Sequence, residues 1–248
     1  RTDLLGLPIL RWIAIATVIL PSLSRKHAGA DADAFSQTLD WAVRCVMLIG
    51  IPAMMALVIL AKPMLAAIFM YGKMTPTDVE MASYSLQAYA LGLLAFMLIK
   101  VLAPGYFSRQ DTTTPVRIGI IAMVANMVFN VALVVPLYLY FNVGHLGLAL
   151  ATSMAAYLNA GLLWRGLLRD GAFRFNPGFA ATLLRIIAAT AVMGLVLLWL
   201  GADLEAWAGL KWWQRGLQLG AICGAGLMVY AGALLLLGIR PRQFRAGL

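Results

Sequence analysis

The sequence predicts an all-α membrane protein with seven transmembrane helices, and three observations lead there. Apolar residues make up 62% of the 248 residues and charged residues only 12%, about half the charged share of a soluble domain. The apolar residues gather into seven runs, each near the about 20 residues that cross a hydrocarbon core as a helix. None of them alternates as a barrel strand would, and a helix satisfies its own backbone hydrogen bonds in lipid.

The spans fall at roughly 4–22, 38–61, 82–107, 116–138, 144–167, 179–200 and 215–238. Pro52 stands inside the second and is expected to kink it. Between the second and third, Pro63 to Tyr71 is apolar but too short to span, and is expected to form an interfacial or re-entrant turn. The chain opens on Arg1, not Met, and runs into an apolar stretch without the shape of a signal peptide. A protein missing its N-terminal part is the expectation.

The connections carry an asymmetric charge. Arg25, Lys26, Arg109, Arg117, Arg165, Arg169, Arg174, Arg240, Arg242 and Arg245 fall on one side, against Lys62, Lys73, Lys211 and Arg215 on the other. Positive residues stay inside, so the first side is cytoplasmic and the C-terminus with it. Trp199, Trp207, Trp212 and Trp213 cluster at an outer connection, as an interfacial belt does. The net charge of +9 is scattered in ones to threes and forms no stripe for nucleic acid. Cys45 and Cys223 lie in apolar runs, without metal or disulfide spacing. With two histidines, ten acids and no Walker loop, a catalytic centre is not expected, which weighs against a membrane-embedded enzyme. A seven-helix pigment would need a lysine in the last span, and residues 216–238 have none.

Charged groups inside spans are functional candidates by default. Three are candidates for lining a substrate cavity: Arg11, Arg44 and Lys100. Arg44 follows Asp40 by one turn, and a pair that snorkels to the surface also explains it. Arg185 lies near the same surface and has the same explanation. Lys100 lies about 13 Å before Arg109, so snorkelling and cavity-lining stand level. Arg11 has no nearby acid.

Uncharged polar residues add two seams. Asn126 and Asn130 share a helix face, and the next helix carries Thr152, Ser153 and Asn159 beside the small residues Gly147, Ala151 and Ala155. Interhelical hydrogen bonding explains them, and so does a small oxygen-lined cation site. Gly216, Gly220 and Gly224 form a second small-residue stripe, suited to helix packing or to a groove for a lipid tail.

The stretch KVLAPGYFSRQDTTTPVRI at 100–118 resembles the signature of the MurJ/MviN family of lipid II flippases. VILPSLSR at 18–25, PMLAAIFMYGKM at 63–74 and GLALATSMAAYLNAGLL at 147–163 are similar to it as well, so the resemblance runs from about residue 13 to the end. It implies a fourteen-helix, two-lobed transporter of the multidrug/oligosaccharidyl-lipid/polysaccharide exporter superfamily, of which this chain would be the C-terminal lobe. Residues 1–170 would supply five helices of that lobe, and 171–248 two additional helices with a lipid-tail groove.

The implied activity is translocation of lipid II, an undecaprenyl-pyrophosphate-linked peptidoglycan precursor, across the bacterial inner membrane by alternating access. The implied partners are membrane lipids and the missing N-terminal half, with no nucleic acid. Another exporter of the same superfamily, for polysaccharide units or drugs, is the alternative. In some members a sodium ion is held by polar residues that match Asn126, Asn130, Thr152 and the carbonyl of Leu148. An acid in that pattern is Asn130 here. A family cavity arginine follows an Asp in the first span, and Thr2-Asp3-Leu4-Leu5-Gly6-Leu7-Pro8 has none at that place.

Overall fold

The computed structural model describes residues 32–69, 75–201 and 212–239. Six helices lie there: α1 (Ala32–Phe69), α2 (Pro76–Phe107), α3 (Thr113–Phe141), α4 (Gly144–Arg169), α5 (Phe179–Gly201) and α6 (Trp212–Leu236). All six are long and apolar enough to cross a membrane, and the chain is a multi-pass membrane protein. The predicted span at 4–22, with Arg11, lies outside the described residues, as do Lys73, Lys211 and the arginines from Arg240 onward.

Three boundaries differ from expectation by six residues or more, the first being the start of α1 at Ala32 against the expected 38. Pro63 opens no turn: α1 runs on through it to Phe69, which makes one helix of 38 residues. A proline removes one backbone donor but leaves the next turn free to continue, and Ala66 at 0% exposure shows that the extension is packed. The re-entrant turn expected from Pro63 is therefore overturned as far as Phe69. α2 begins six residues before the expected 82, because Thr75-Pro76-Thr77-Asp78 is a capping box. The Thr75 hydroxyl accepts from the Asp78 amide at 3.3 Å, the Asp78 carboxylate accepts from the Thr75 amide at 2.9 Å, and proline fills the first helical position.

Short turns set the order of packing. Asn142 takes a left-handed conformation (φ 56°) after α3, and the Val143 amide reaches back to the Leu137 carbonyl at 3.1 Å. This closes α3 against α4 as an antiparallel hairpin. The core lies among α1, α2 and α4, around Leu39, Val43, Leu102, Tyr106, Leu163 and Leu167. Polar side chains bind α2 to α4 through backbone carbonyls: Ser153 to Ala88 at 2.6 Å, Tyr157 to Leu91 at 2.8 Å and Tyr106 to Leu163 at 2.8 Å. In lipid such bonds contribute on the order of 0.6–2 kcal/mol each. Helix α3 leans on α4 and barely touches α2, while α5 and α6 pack on each other and on α1.

Candidate functional site

The signature stretch at 100–118 takes in the end of α2, the turn at 108–112 and the start of α3. Ser108 closes α2 through the Pro104 carbonyl at 2.9 Å, and Gln110 takes φ 60°. Arg109 reaches Asp170 at the end of α4 at 3.4 Å. Asp111 then accepts from the Thr114 amide at 3.0 Å and so caps α3. Bonds from the Thr114 side chain and backbone hold the Asp111 carboxyl below its ordinary range. Lys100 is exposed on α2, and Tyr89, Phe96 and Phe107 are exposed along the same stripe at helical spacing.

Arg44 occupies a different setting. Its Nε donates to Asp40 at 2.8 Å, and its terminal nitrogens reach the Thr182 hydroxyl at 3.3 Å and the Asn176 carbonyl at 3.2 Å. Its guanidinium also lies 5.3 Å from the Phe179 ring centre. Asn176 donates to the same Asp40 oxygen at 3.2 Å, and the Arg174 amide donates to Ser36 at 2.9 Å. The cluster ties the start of α1 to the α4–α5 connection and to α5. The pair with Asp40 was legible one turn apart. The partners more than 130 residues away were not, and an aromatic group of Trp164, Phe173, Phe175 and Phe179 beside them carried no sequence signal either.

The polar seam lies where α3 meets α4. Asn130 donates to Asn126 Oδ1 at 3.0 Å, and Thr152 donates to the Leu148 carbonyl at 2.9 Å. Each bond stays within its own helix. Asn130 Oδ1 is buried without a hydrogen-bond partner. Nearby, Gly147 lets the two backbones touch, since a Cβ there would stand 2.9 Å from Val134 Cα. All the oxygens in the seam are uncharged, a hard-donor set suited to a weakly held monovalent cation. Among the described residues no group of three His, Cys, Asp or Glu could hold a metal.

An apolar cleft of about 520 Å³ opens between α1, α5 and α6, within the about 300–1,000 Å³ usual for ligand sites. Leu48, Pro52 and Ala56 form one wall, Leu197 and Met193 the floor, and Gly226, Leu227 and Tyr230 the other wall. Leu227 is 68% exposed, so the cleft opens sideways, where lipid would lie. Gly216, Gly220 and Gly224 are not among its lining, and a Cβ at any of them meets nothing within 4 Å. The cleft glycine is Gly226, whose Cβ would stand 2.8 Å from Leu197. Cys223 lines the cleft and Cys45 is buried, both free.

A family model described as lipid II flippase MurJ matches residues 4–211. The probable lipid II flippase MurJ of Vibrio cholerae is 52% identical over 234 residues, which cover 94% of this chain and 43% of that protein. Its counterpart in Haemophilus influenzae is 43% identical, with 93% and 45% covered. The lipid II flippase MurJ of Burkholderia cenocepacia is 34% identical, with 94% and 44% covered. A solved lipid II flippase MurJ in an inward closed conformation superposes with a TM-score of 0.64 at 24% identity, covering 90% of this chain and 42% of that one. That likeness is one of fold. The chain spans less than half the length of these relatives.

Proposed function

The chain belongs to the lipid II flippase MurJ family, and from that premise we propose that it is the C-terminal lobe of a lipid II flippase. The full protein carries lipid-linked peptidoglycan precursor from the cytoplasmic to the periplasmic leaflet of the inner membrane by alternating access. The chain's C-terminus lies in the cytoplasm. The lobe has seven helices, and a first lobe of similar size completes a fourteen-helix transporter.

The observation that carries the reading is the sideways-opening apolar cleft between α1, α5 and α6. A pyrophosphate-linked sugar cannot enter hydrocarbon, so it needs a hydrated basic cavity between lobes. Its polyprenyl tail has the opposite need, and this cleft meets it. Lys100, exposed on α2, faces the head group from this lobe. Arg44 holds α5 and its partner α6 in place at the cytoplasmic end. The polysaccharide-unit or drug exporter alternative has no comparable support, since the family match covers the signature at 100–118.

We also propose that the seam of Asn126, Asn130, Thr152 and the Leu148 carbonyl holds a sodium ion. Asn130 Oδ1, buried and unpaired, would gain the partner it lacks. The ion would supply a positive charge that draws α3 and α4 together.

Photo-crosslinking tests the tail site. An undecaprenyl phosphate with a photoreactive tail, added to the full-length protein, should mark peptides of α1, α5 and α6. Labelling confined to α2–α4 would refute it.

A further inference from the structure

Pro52 leaves a specific gap in α1. In a helix the carbonyl of residue 48 accepts from the amide of residue 52, and proline has none to give. Its ring also pushes that carbonyl away from the helix axis. In hydrocarbon no water can take over, so the exposed acceptor is costly. The hydroxyl of Tyr230, on α6, donates to the Leu48 carbonyl at 2.7 Å. Tyr230 is buried, and Leu48, Pro52 and Tyr230 all line the apolar cleft. The bond that repairs the break in α1 is therefore also a polar tie from one wall of the cleft to the other.

Polar bonds hold helix α6 to α1 at its start and again further along. At its start, Arg215 donates to the Ala66 carbonyl in the last turn of α1 at 3.3 Å. The second is Tyr230, about 22 Å further along the helix. Between the two lie small and aliphatic contacts that can slide. We propose that Tyr230 is the positioning residue that latches α6 onto the Pro52 break and thereby sets the width of the cleft. A chain that wedges α6 further from α1 breaks the bond and strands the Leu48 carbonyl, so the cleft rests at the width seen here and widens only while it is filled. This consequence rests on the tail-site reading of the cleft; the latch itself does not.

The test is a double-substitution cycle in the full-length protein, with Cys223 as the one remaining cysteine. Tyr230→Phe keeps the ring and removes the donor. It should lower the melting temperature by on the order of 2 °C and speed alkylation of Cys223 by an apolar maleimide several-fold. Pro52→Ala gives Leu48 its backbone donor back, so in that background Tyr230→Phe should change neither quantity. Equal effects in both backgrounds, or unchanged alkylation with Tyr230→Phe in the parent, would overturn the latch. The alkylation rate in the parent decides the matter even if Pro52→Ala fails to accumulate.

Undecaprenyl phosphate supplies the second arm. If it slows alkylation of Cys223 while the cycle shows no coupling, the latch fails and the tail site stands. If the cycle shows coupling and the lipid gives no protection, the latch stands and the tail site fails.

Discussion

Gly147 of α4 lies against the backbone of α3 at Val134, where a Cβ would stand 2.9 Å from both the Val134 nitrogen and Cα. Backbone cannot swing aside as a side-chain tip can, so the two helices must part to admit any larger residue. Gly147→Val should therefore destabilise the full-length protein by roughly 1–3 kcal/mol, the usual range for overpacking. Gly161→Ala, on the same helix with nothing within 4 Å, is the control and should be near neutral. Thermal unfolding in detergent distinguishes the two.

Arg44 and Lys100, both cavity candidates in the sequence, should separate on substitution. Breaking a buried ion pair leaves its partner stranded, and the side chains of Arg44 and Asp40 are 16% and 4% exposed. Arg44→Ala should cost roughly 3 kcal/mol and lower the amount of folded protein in the membrane. Lys100→Gln should leave the melting temperature unchanged and reduce growth in a flippase-depletion strain. Normal growth with Lys100→Gln would remove Lys100 from the head-group cavity.

The sodium proposal depends on one orphaned atom. Asn130→Ala deletes Asn130 Oδ1, so sodium should raise the melting temperature of the parent and not of the variant, with potassium as the control. An equal response of both to sodium would refute the site.

Acid should weaken the turn after α2. The carboxyl of Asp111 sits below its ordinary range because it accepts bonds from Thr114. A depressed value in the folded state contributes stability that is present above the unfolded value and lost as pH falls through the folded one. The melting temperature of the parent should therefore fall more steeply than that of Asp111→Asn as pH drops below the ordinary carboxylate range. Parallel profiles would contradict the capping role.

The sequence was most legible where composition decides structure. Helix existence follows from runs of apolar residues, and α3, α4 and α5 begin and end within three residues of expectation. Boundaries set by local chemistry were harder. Hydropathy placed the start of α2 at 82, while the capping box at Thr75–Asp78 sets it at 76. Pro63 to Tyr71 reads as a separate turn because it is too short to span alone, and packing of the last turns of α1 carried the helix through to Phe69. For the candidate site, Gly147 was readable as a close-approach residue from its spacing with Ala151 and Ala155. The glycine stripe at 216–224 has the same spacing yet faces open space, because periodicity marks a face without saying what lies against it. The bond from Tyr230 to Leu48 spans 182 positions, and no local pattern encodes it.

The measurement that tests the central claim most directly is lipid II exposure at the outer face of the membrane. The full-length protein would be expressed in cells depleted of their own flippase, and an externally added lipid II phosphodiesterase would report exposed head groups by their release. The account predicts that release returns to the level of undepleted cells, and that Ala53→Trp, which fills the cleft, abolishes it while the protein still folds. Folded, membrane-inserted parent protein that restores no release would contradict the assignment.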